Sequence, residues 1–321
     1  MYRGDTLRLS VFLVLFGSVT LFNILMCFPL LRGETGSGSR AESVPETPCT
    51  AVMVLFYILF PLEAVCLIYG FFIEVRWPQV TKHRIRTSSL KPGSCVRIVH
   101  LSDLHVETIG SHEKKLLKKT GECSPDMILI TGDYANYRSG YETAALLLRK
   151  LSDIAPCYLV TGNVDCNFAE ETRKLKDEFA FIESGVTPVA AGAGTVFLAG
   201  CDDSEPGVIS EAVQQLEHAE SGFRILLYHK PDLADDPSVS AFDLYLSGHT
   251  HGGQVRIPGF GAVITMSELG KRYEMGEYDL GRTRLYVNRG YGFEGGSRAV
   301  PKVRFLCRPE IALFIIEGTY T

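Results

Sequence analysis

The chain has 321 residues, 46% hydrophobic and 21% charged, and 32 Lys+Arg against 37 Asp+Glu leave a formal net charge of −5. Such an apolar fraction excludes a wholly disordered protein, and without a basic excess a general nucleic-acid binder is disfavoured. Nine cysteines without a C-x-x-C pair fit neither a disulfide scaffold nor a zinc knuckle, and they read as reduced thiols packed in apolar space.

Leu9 to Leu31 is an uncharged run of 23 residues, and Thr50 to Ile73 is a second of 24 whose only charge is Glu63. At about 1.5 Å per residue each is long enough to cross a hydrocarbon core of about 30 Å. Arg32 closes the first run, while Glu74, Arg76, Trp77 and Pro78 close the second, with Trp77 where an interfacial aromatic belongs. Arg3 and Arg8 precede the first run, Arg76, Lys82, Arg84 and Arg86 come after the second, and Gly33 to Cys49 holds only Arg40 as a cation. The positive-inside rule then predicts a hairpin of two transmembrane helices (9–31 and 50–73) in the cytoplasmic membrane, with the following domain facing the cytoplasm. A cleaved signal peptide followed by one anchor is the competing topology, but the first run exceeds the usual ~7–15 residue signal core. Glu63, beside Pro61, reads as a neutralised or snorkelling acid.

Residues 1–93 are thus expected to form the membrane hairpin and a linker, and residues 94–321 an α/β domain. Strands are predicted at Val96–Leu101, Met127–Ile130, Tyr158–Val160, Val196–Leu198, Ile225–Tyr228, Leu244–Leu246, Leu285–Val287 and Ile311–Ile316. Apolar residues at helical spacing predict helices at Glu142–Leu151 and Ala169–Ile182, with a weaker one at Val208–His218.

The chemistry-bearing residues sit just past the strand ends. Leu101 leads to Asp103 and His105, Ile130 to Asp133, Val160 to Asn163, Tyr228 to His229, and Leu246 to His249 and His251. In open α/β sheets the carboxyl ends of strands are where ligands bind. One buried His or Asp is ordinarily a hydrogen-bonded core group, whereas an ordered set on five strands describes a site. Carboxylate, amide and imidazole donors without thiolate suit Mn²⁺, Fe²⁺ or Zn²⁺, and seven donors exceed one tetrahedral ion but fit two ions sharing a carboxylate.

Asp103-Leu-His105, Gly132-Asp133, Gly162-Asn163, His229 and Gly248-His-Thr-His251 resemble the five motifs of the calcineurin-like metallophosphoesterases, over about Ser94 to Glu317. The likeness is nearest to their membrane-anchored bacterial branch, through His249-Thr-His-Gly-Gly-Gln254, Asn288-Arg-Gly-Tyr-Gly292 and Arg308-Pro-Glu-Ile311. It implies a four-layer α/β/β/α sandwich with two divalent ions, manganese first among them. By position Asp103, His105 and His251 would hold the first ion and Asn163, His229 and His249 the second, with Asp133 bridging. Catalysis would rest on Asp103, Asp133, Asn163 and His249, with Asp165 as a support behind the ligands. Two carboxylates and a bridging hydroxide would leave the pair of ions with a positive surplus that favours an anionic phosphate.

The family ordinarily carries His after the third-motif Asn, placed to protonate the leaving group; this chain has Val164. Loss of a general acid costs typically ~10²–10⁴-fold on a basic leaving group, while a departing phosphate needs no such help. The departure favours phosphoanhydride hydrolysis unless His100 or His112 donates instead. With a membrane hairpin, this resembles the hydrolases that cleave UDP-2,3-diacylglucosamine in lipid A biosynthesis, giving partners that are a membrane lipid and a lipid-linked nucleotide. A generic membrane-anchored phosphodiesterase or phosphatase is one alternative, and a non-catalytic scaffold of the same fold is another. Arg256, Arg272, Arg289 and Arg298 come after the last metal motif as candidate phosphate or uridine contacts. Gly252 and Gly253 read as sites of close backbone approach, and Cys166 as a packed thiol.

Overall fold

A computed structural model of the protein describes residues 47–192, 194–202, 209–293 and 302–320. The first apolar run, 9–31, lies outside the described residues; among the described residues one long apolar helix answers to the second run. That helix, α1 (Thr47–Ile68), runs on through a π turn at Tyr69–Ile73 and a 3-10 turn at Glu74–Arg76. Its 20-residue segment Tyr57–Arg76 contains an 18-residue window of mean hydropathy 2.0, long and apolar enough to cross a membrane. Ile58, Phe60, Leu62, Val65 and Phe72 stand exposed on it among the described residues.

After Pro78 the chain enters β1 (Gln79–Thr87) at once. From sequence these residues are expected in the linker, but they pair in parallel with the last strand from Gln79↔Glu310 to Thr87↔Gly318. The strand is hidden in the sequence because it lies at a sheet edge and exposes Lys82, Arg84 and Arg86. Next come β2 (Cys95–Leu101), α2 (Ser111–Glu122), β3 (Met127–Thr131), α3 (Tyr141–Ser152) and β4 (Cys157–Val160). A single-turn α4 (Asn163–Cys166) precedes α5 (Ala169–Glu178) and β5 (Ala180–Phe181). The predicted helix to Ile182 stops early because its last residues take ladder bonds to β4 instead, Tyr158↔Ala180 and Leu159↔Phe181.

The second half holds β6 (Val186–Ala190), β7 (Thr195–Gly200), α6 (Ile209–Glu217), β8 (Phe223–Leu227) and β9 (Leu244–Ser247). A small hairpin, β10 (Arg256–Ile257) and β11 (Gly261–Ala262), leads to β12 (Gly276–Asp279), β13 (Arg284–Val287) and β14 (Glu310–Gly318). Two mixed sheets result, ordered β1-β14-β2-β3-β4-β5 and β12-β13-β9-β8-β7-β6.

Alternate residues of each strand feed different cores, as a period of two requires. Ile98, Leu129, Val160, Leu198, Ile225, Leu246 and Phe314 pack between the sheets. Val99, Ile128 and Ile130 turn outward against Leu116, Leu147, Leu148 and Leu175 of α2, α3 and α5. On the far side Ala199, Leu226 and Tyr245 meet Ala212 and Leu216 of α6. The layers run helix, sheet, sheet, helix.

Candidate metal centre

The ligand-bearing loops leave the carboxyl ends of β2, β3, β4, β8 and β9, which are neighbours within the two sheets. Five of the seven candidate residues are non-glycine residues in the left-handed region: Asp103 (φ 51°), His105 (43°), Asp133 (58°), His249 (68°) and His251 (51°). Such conformations cost roughly 1–3 kcal/mol each and persist where surrounding structure enforces them. Here they turn each loop so that its polar side chain faces the same point.

The donors converge in two adjoining groups. Asp103, His105 and His251 offer ligand atoms within 4.8 Å of one another, as do Asp103, Asp133 and His229. In the first group His105 Nε2 lies 3.1 Å from His251 Nε2, and His251 Nε2 lies 3.5 Å from Asp103 Oδ1. In the second, His229 Nε2 lies 3.0 Å from Asn163 Oδ1, 3.3 Å from His249 Nδ1 and 3.4 Å from Asp133 Oδ2. Asp133 Oδ2 is also 3.7 Å from His105 Nε2, so it stands between the groups beside Asp103, which belongs to both. Ligands at about 2.1 Å from one ion, spread by about 90–110°, are separated by about 3.0–3.4 Å; the pairs above lie at 3.0–3.7 Å, with His229 Nε2 to Asp103 Oδ1 longer at 4.0 Å. The His105 and His251 rings each leave a buried Nδ1 without a hydrogen-bond partner among the described residues. Buried imidazoles that face one another and the carboxylates of Asp103 and Asp133 suit cation ligands better than core groups.

Tautomers follow from the remaining nitrogens. His229 Nδ1–H donates to Thr131 O at 2.6 Å and His249 Nε2–H to Met266 O at 3.0 Å, which leaves Nε2 of His229 and Nδ1 of His249 as the nitrogens that face the centre. Burial holds the imidazoles of His105 at about 4 and His249 at about 3, and that of His251 well below its usual value, so all three are neutral at physiological pH. Burial raises the Asp103 carboxyl to about 6. Burial also opposes charge on His229, but Asp133 and Asp103 override it and lift the imidazole to about 10. Asp133, despite its burial, is held below the usual carboxylate range by His229 and His105. A divalent cation would compete with that His229 proton for the same negative charge.

Behind the donors stands Asp165, fully buried. It accepts the backbone N–H groups of Asp133 (2.7 Å), Tyr134 (3.1 Å) and Gly162 (2.8 Å) and the Tyr141 hydroxyl (2.9 Å). Its bond to Gly162 also caps α4 and so orients Asn163 at that helix's first turn. The motif glycines are explained by contact. A β-carbon on Gly162 would stand 2.2 Å from Asp133 Oδ1, and one on Gly248 2.3 Å from Asp103 Oδ2. Gly252 and Gly253 likewise have no room, with Cys307 Sγ 2.7 Å and Ala262 Cβ 2.4 Å from the added atom.

Other expectations fare unevenly. The Val164 side chain is aliphatic, and its backbone N–H donates to Asp133 Oδ1 at 2.9 Å. Neither alternative proton donor is placed for the task. His100 is buried in β2 against Thr131 Oγ1 at 2.9 Å, and His112 stacks on Tyr291 with its Nε2 3.1 Å from Tyr291 O. Cys166 is exposed, its Sγ 3.8 Å from Asp202 Oδ1, so the packed-thiol reading is corrected: α4 is too short to bury its last residue. Arg289 is committed to the buried Glu310 at 2.9 Å, Arg256 to Glu274 at 2.9 Å, and the exposed Arg272 to Asp235 at 2.7 Å. Arg298 lies outside the described residues.

Arg304 is a residue that no sequence signal singles out. Fully buried, it donates to the carbonyls of Arg289, Gly290, Gly292 and Cys307 and so fastens the Asn288–Gly292 loop. Gly290 of that loop touches the site, since a β-carbon there would stand 2.8 Å from Asp103 Cβ. No motif marks a buried arginine whose main partners are backbone carbonyls.

Residues 96–253 match the calcineurin-like phosphoesterase family. The uncharacterized metallophosphoesterase YkuE of Bacillus subtilis is 31% identical over 268 residues, spanning 78% of this chain and 90% of its own length. Phosphodiesterase YaeI of Escherichia coli is 28% identical over 265 residues, 76% of this chain and 90% of its length. A Danio rerio protein named as a transmembrane protein with metallophosphoesterase domain is 27% identical over 306 residues, 87% of this chain and 66% of its length. Two groups of buried oxygen and nitrogen donors, set at coordination spacing on the strand ends where this family carries its motifs, agree with those likenesses, and the chain belongs to the calcineurin-like metallophosphoesterases as a metal-dependent hydrolase.

Proposed function

We propose that the protein is a membrane-associated hydrolase of phosphoanhydrides whose substrate is UDP-2,3-diacylglucosamine, cleaved to UMP and 2,3-diacylglucosamine 1-phosphate. The observation that carries this reading is Val164. No imidazole is available to protonate a leaving alkoxide, since His100 and His112 are both engaged elsewhere. A site without that proton selects a leaving group that does not need one.

In this reading Asp103, His105 and His251 would hold one ion and Asn163, His229 and His249 the other, with Asp133 shared between them. Divalent ions bound there, with Mn²⁺ as the first choice for these donors, would supply a water of lowered pKa and a clamp for phosphoryl oxygens. The chain's own contribution is placement: Asp165 and the Val164 N–H fix Asp133, while Thr131 and Met266 carbonyls fix the two imidazoles. Membrane association is supported by α1 and by transmembrane relatives, and the basic residues after the helix favour a cytoplasmic domain at the inner membrane.

The test is turnover by the detergent-solubilised chain with Mn²⁺ against the acylated UDP-sugar, UDP-N-acetylglucosamine, a phosphodiester and a phosphomonoester. Preference for the acylated UDP-sugar supports the proposal; brisk phosphomonoester cleavage without it overturns it. A phosphodiester preference would mark the second reading, which the name of the YaeI relative favours.

A further inference from the structure

Three large apolar side chains stand exposed together on the body of the protein beside the end of α1. Ile257 is 42% exposed, Phe260 53% and Leu306 45%. Clustered exposure of this kind marks an interaction surface more often than isolated apolar residues do.

Their surroundings connect them to the membrane helix. The Tyr69 and Phe305 rings meet edge-on at 6.0 Å, and Arg304 N–H donates to Gly70 O at 3.2 Å. Glu74, in the helix's last turn, accepts the backbone N–H of Leu306 at 2.8 Å. That contact helps hold Leu306 at φ 55°, a left-handed conformation that leaves its side chain exposed. Phe305 in turn bridges to Val255, and Arg256 N–H donates to Phe305 O at 2.9 Å, so the β10–β11 hairpin is bonded to the same loop.

The hairpin tip is built to hold its shape. Pro258-Gly259, with Gly259 at φ 76°, suits a type II turn closed by the Phe260 N–H to Ile257 O bond at 3.0 Å. Lys271 Nζ sits 3.8 Å from the Phe260 ring centroid and donates to the carbonyls of Phe260 and Ala262. Trp77, also exposed, carries the Arg308 guanidinium over its ring at 4.1 Å, the pairing expected where a helix leaves the bilayer.

We propose that Ile257, Phe260 and Leu306 form a second membrane contact, a wedge that inserts into the lipid headgroup region beside α1. The inference rests on the membrane association proposed above. The helix end is already packed on the body and Gln79 N–H donates to Pro309 O at 2.8 Å, so a second lipid contact beside α1 would hold the body in one orientation to the bilayer. The wedge begins a few residues past His251, so this orientation brings the metal centre's His249–Gly253 loop near the lipid surface, where a lipid-borne phosphate would be met.

Trp77 is the single tryptophan of the chain, which makes fluorescence a direct test. The full chain is reconstituted in phosphatidylcholine–phosphatidylglycerol vesicles with lipids brominated near the headgroup end of the acyl chains. Native Trp77 reports on helix insertion. Phe260→Trp and Ala190→Trp, each with Trp77→Phe, report on the wedge and on the exposed end of β6, the strand at the edge of the second sheet. The proposal expects loss of emission for Trp77 and Phe260→Trp and none for Ala190→Trp. Quenching of Trp77 with Phe260→Trp no more quenched than Ala190→Trp overturns the wedge and leaves the membrane reading intact. An unquenched Phe260→Trp whose emission shifts to the blue with protein concentration also overturns it and assigns the patch to a second copy. If Trp77 itself is unquenched, the membrane reading fails and the wedge with it.

Discussion

The carboxylate of Asp165 receives the backbone N–H of Asp133 at 2.7 Å. One side chain thereby holds the residue between the two donor groups in its left-handed turn, and through Gly162 it also sets the start of the helix that presents Asn163. Asp165→Asn replaces an acceptor of four donors with a group that has one acceptor and one NH₂, so buried N–H groups face another donor. Loss of such supporting partners weakens metal binding typically ~10–100-fold. Calorimetric Mn²⁺ titration is expected to show that loss, with the circular dichroism spectrum retained.

Gly162→Ala tests the close approach to Asp133 Oδ1 at 2.2 Å, because the added methyl must push the carboxylate aside. Misplacement of a catalytic group by about 1 Å can cost ~10²-fold in rate, and kcat is expected to fall by about that much. Gly121→Ala is the control: it lies within α2 with nothing within 4 Å, and the chain should keep its activity and gain slightly in thermal midpoint.

Much of the site is legible in the sequence because its chemistry is local: five motifs, each directly after a buried strand. The parts that are not legible are held by contacts across the chain. The edge strand β1 looks like a basic flank because only Val80 and Ile85 carry aliphatic weight, and its pairing with β14 spans more than 200 residues. Helix α2 is lysine-rich, and only the burial of Leu116 and packing of Leu117 reveal its inner face. Arg289 has the look of a phosphate clamp from its place after the last metal motif, whereas its guanidinium is taken by Glu310 at 2.9 Å.

That pair makes a prediction of its own. Glu310 is 1% exposed and also accepts from Thr81 Oγ1 and the Tyr286 hydroxyl, both at 2.7 Å. Arg289→Ala leaves this carboxylate buried without its cation, a change that costs about 3–5 kcal/mol in comparable pairs. Chemical unfolding should show a large stability loss with KM nearly unchanged; a raised KM at unchanged stability would restore the clamp.

His100 predicts an acid-sensitive core. Burial lowers its imidazole from 6.5 to about 3, so the folded state excludes a proton that the unfolded chain accepts. Its contribution is therefore complete above about 6.5 and declines as pH falls from there toward 3. Between pH ~7 and ~5, His100→Gln should make stability less steep in pH by up to one proton, read from urea midpoints in detergent. An unchanged slope would mean the ring takes up its proton without unfolding.

Val164→His is the sharpest probe of the leaving-group reading. The residue comes directly after Asn163 and its backbone already contacts Asp133, so an imidazole there would stand beside the donors without disturbing the chain's path. A positioned general acid contributes typically ~10²–10⁴-fold where the leaving oxygen is basic and little where it is a phosphate. Phosphomonoester turnover should rise toward that range, anhydride turnover should stay nearly level, and the new activity should decline as pH passes above the imidazole pKa. Equal gains on both substrates would show that the histidine acts by orienting phosphate, and the missing proton would then not explain which bond this enzyme cleaves.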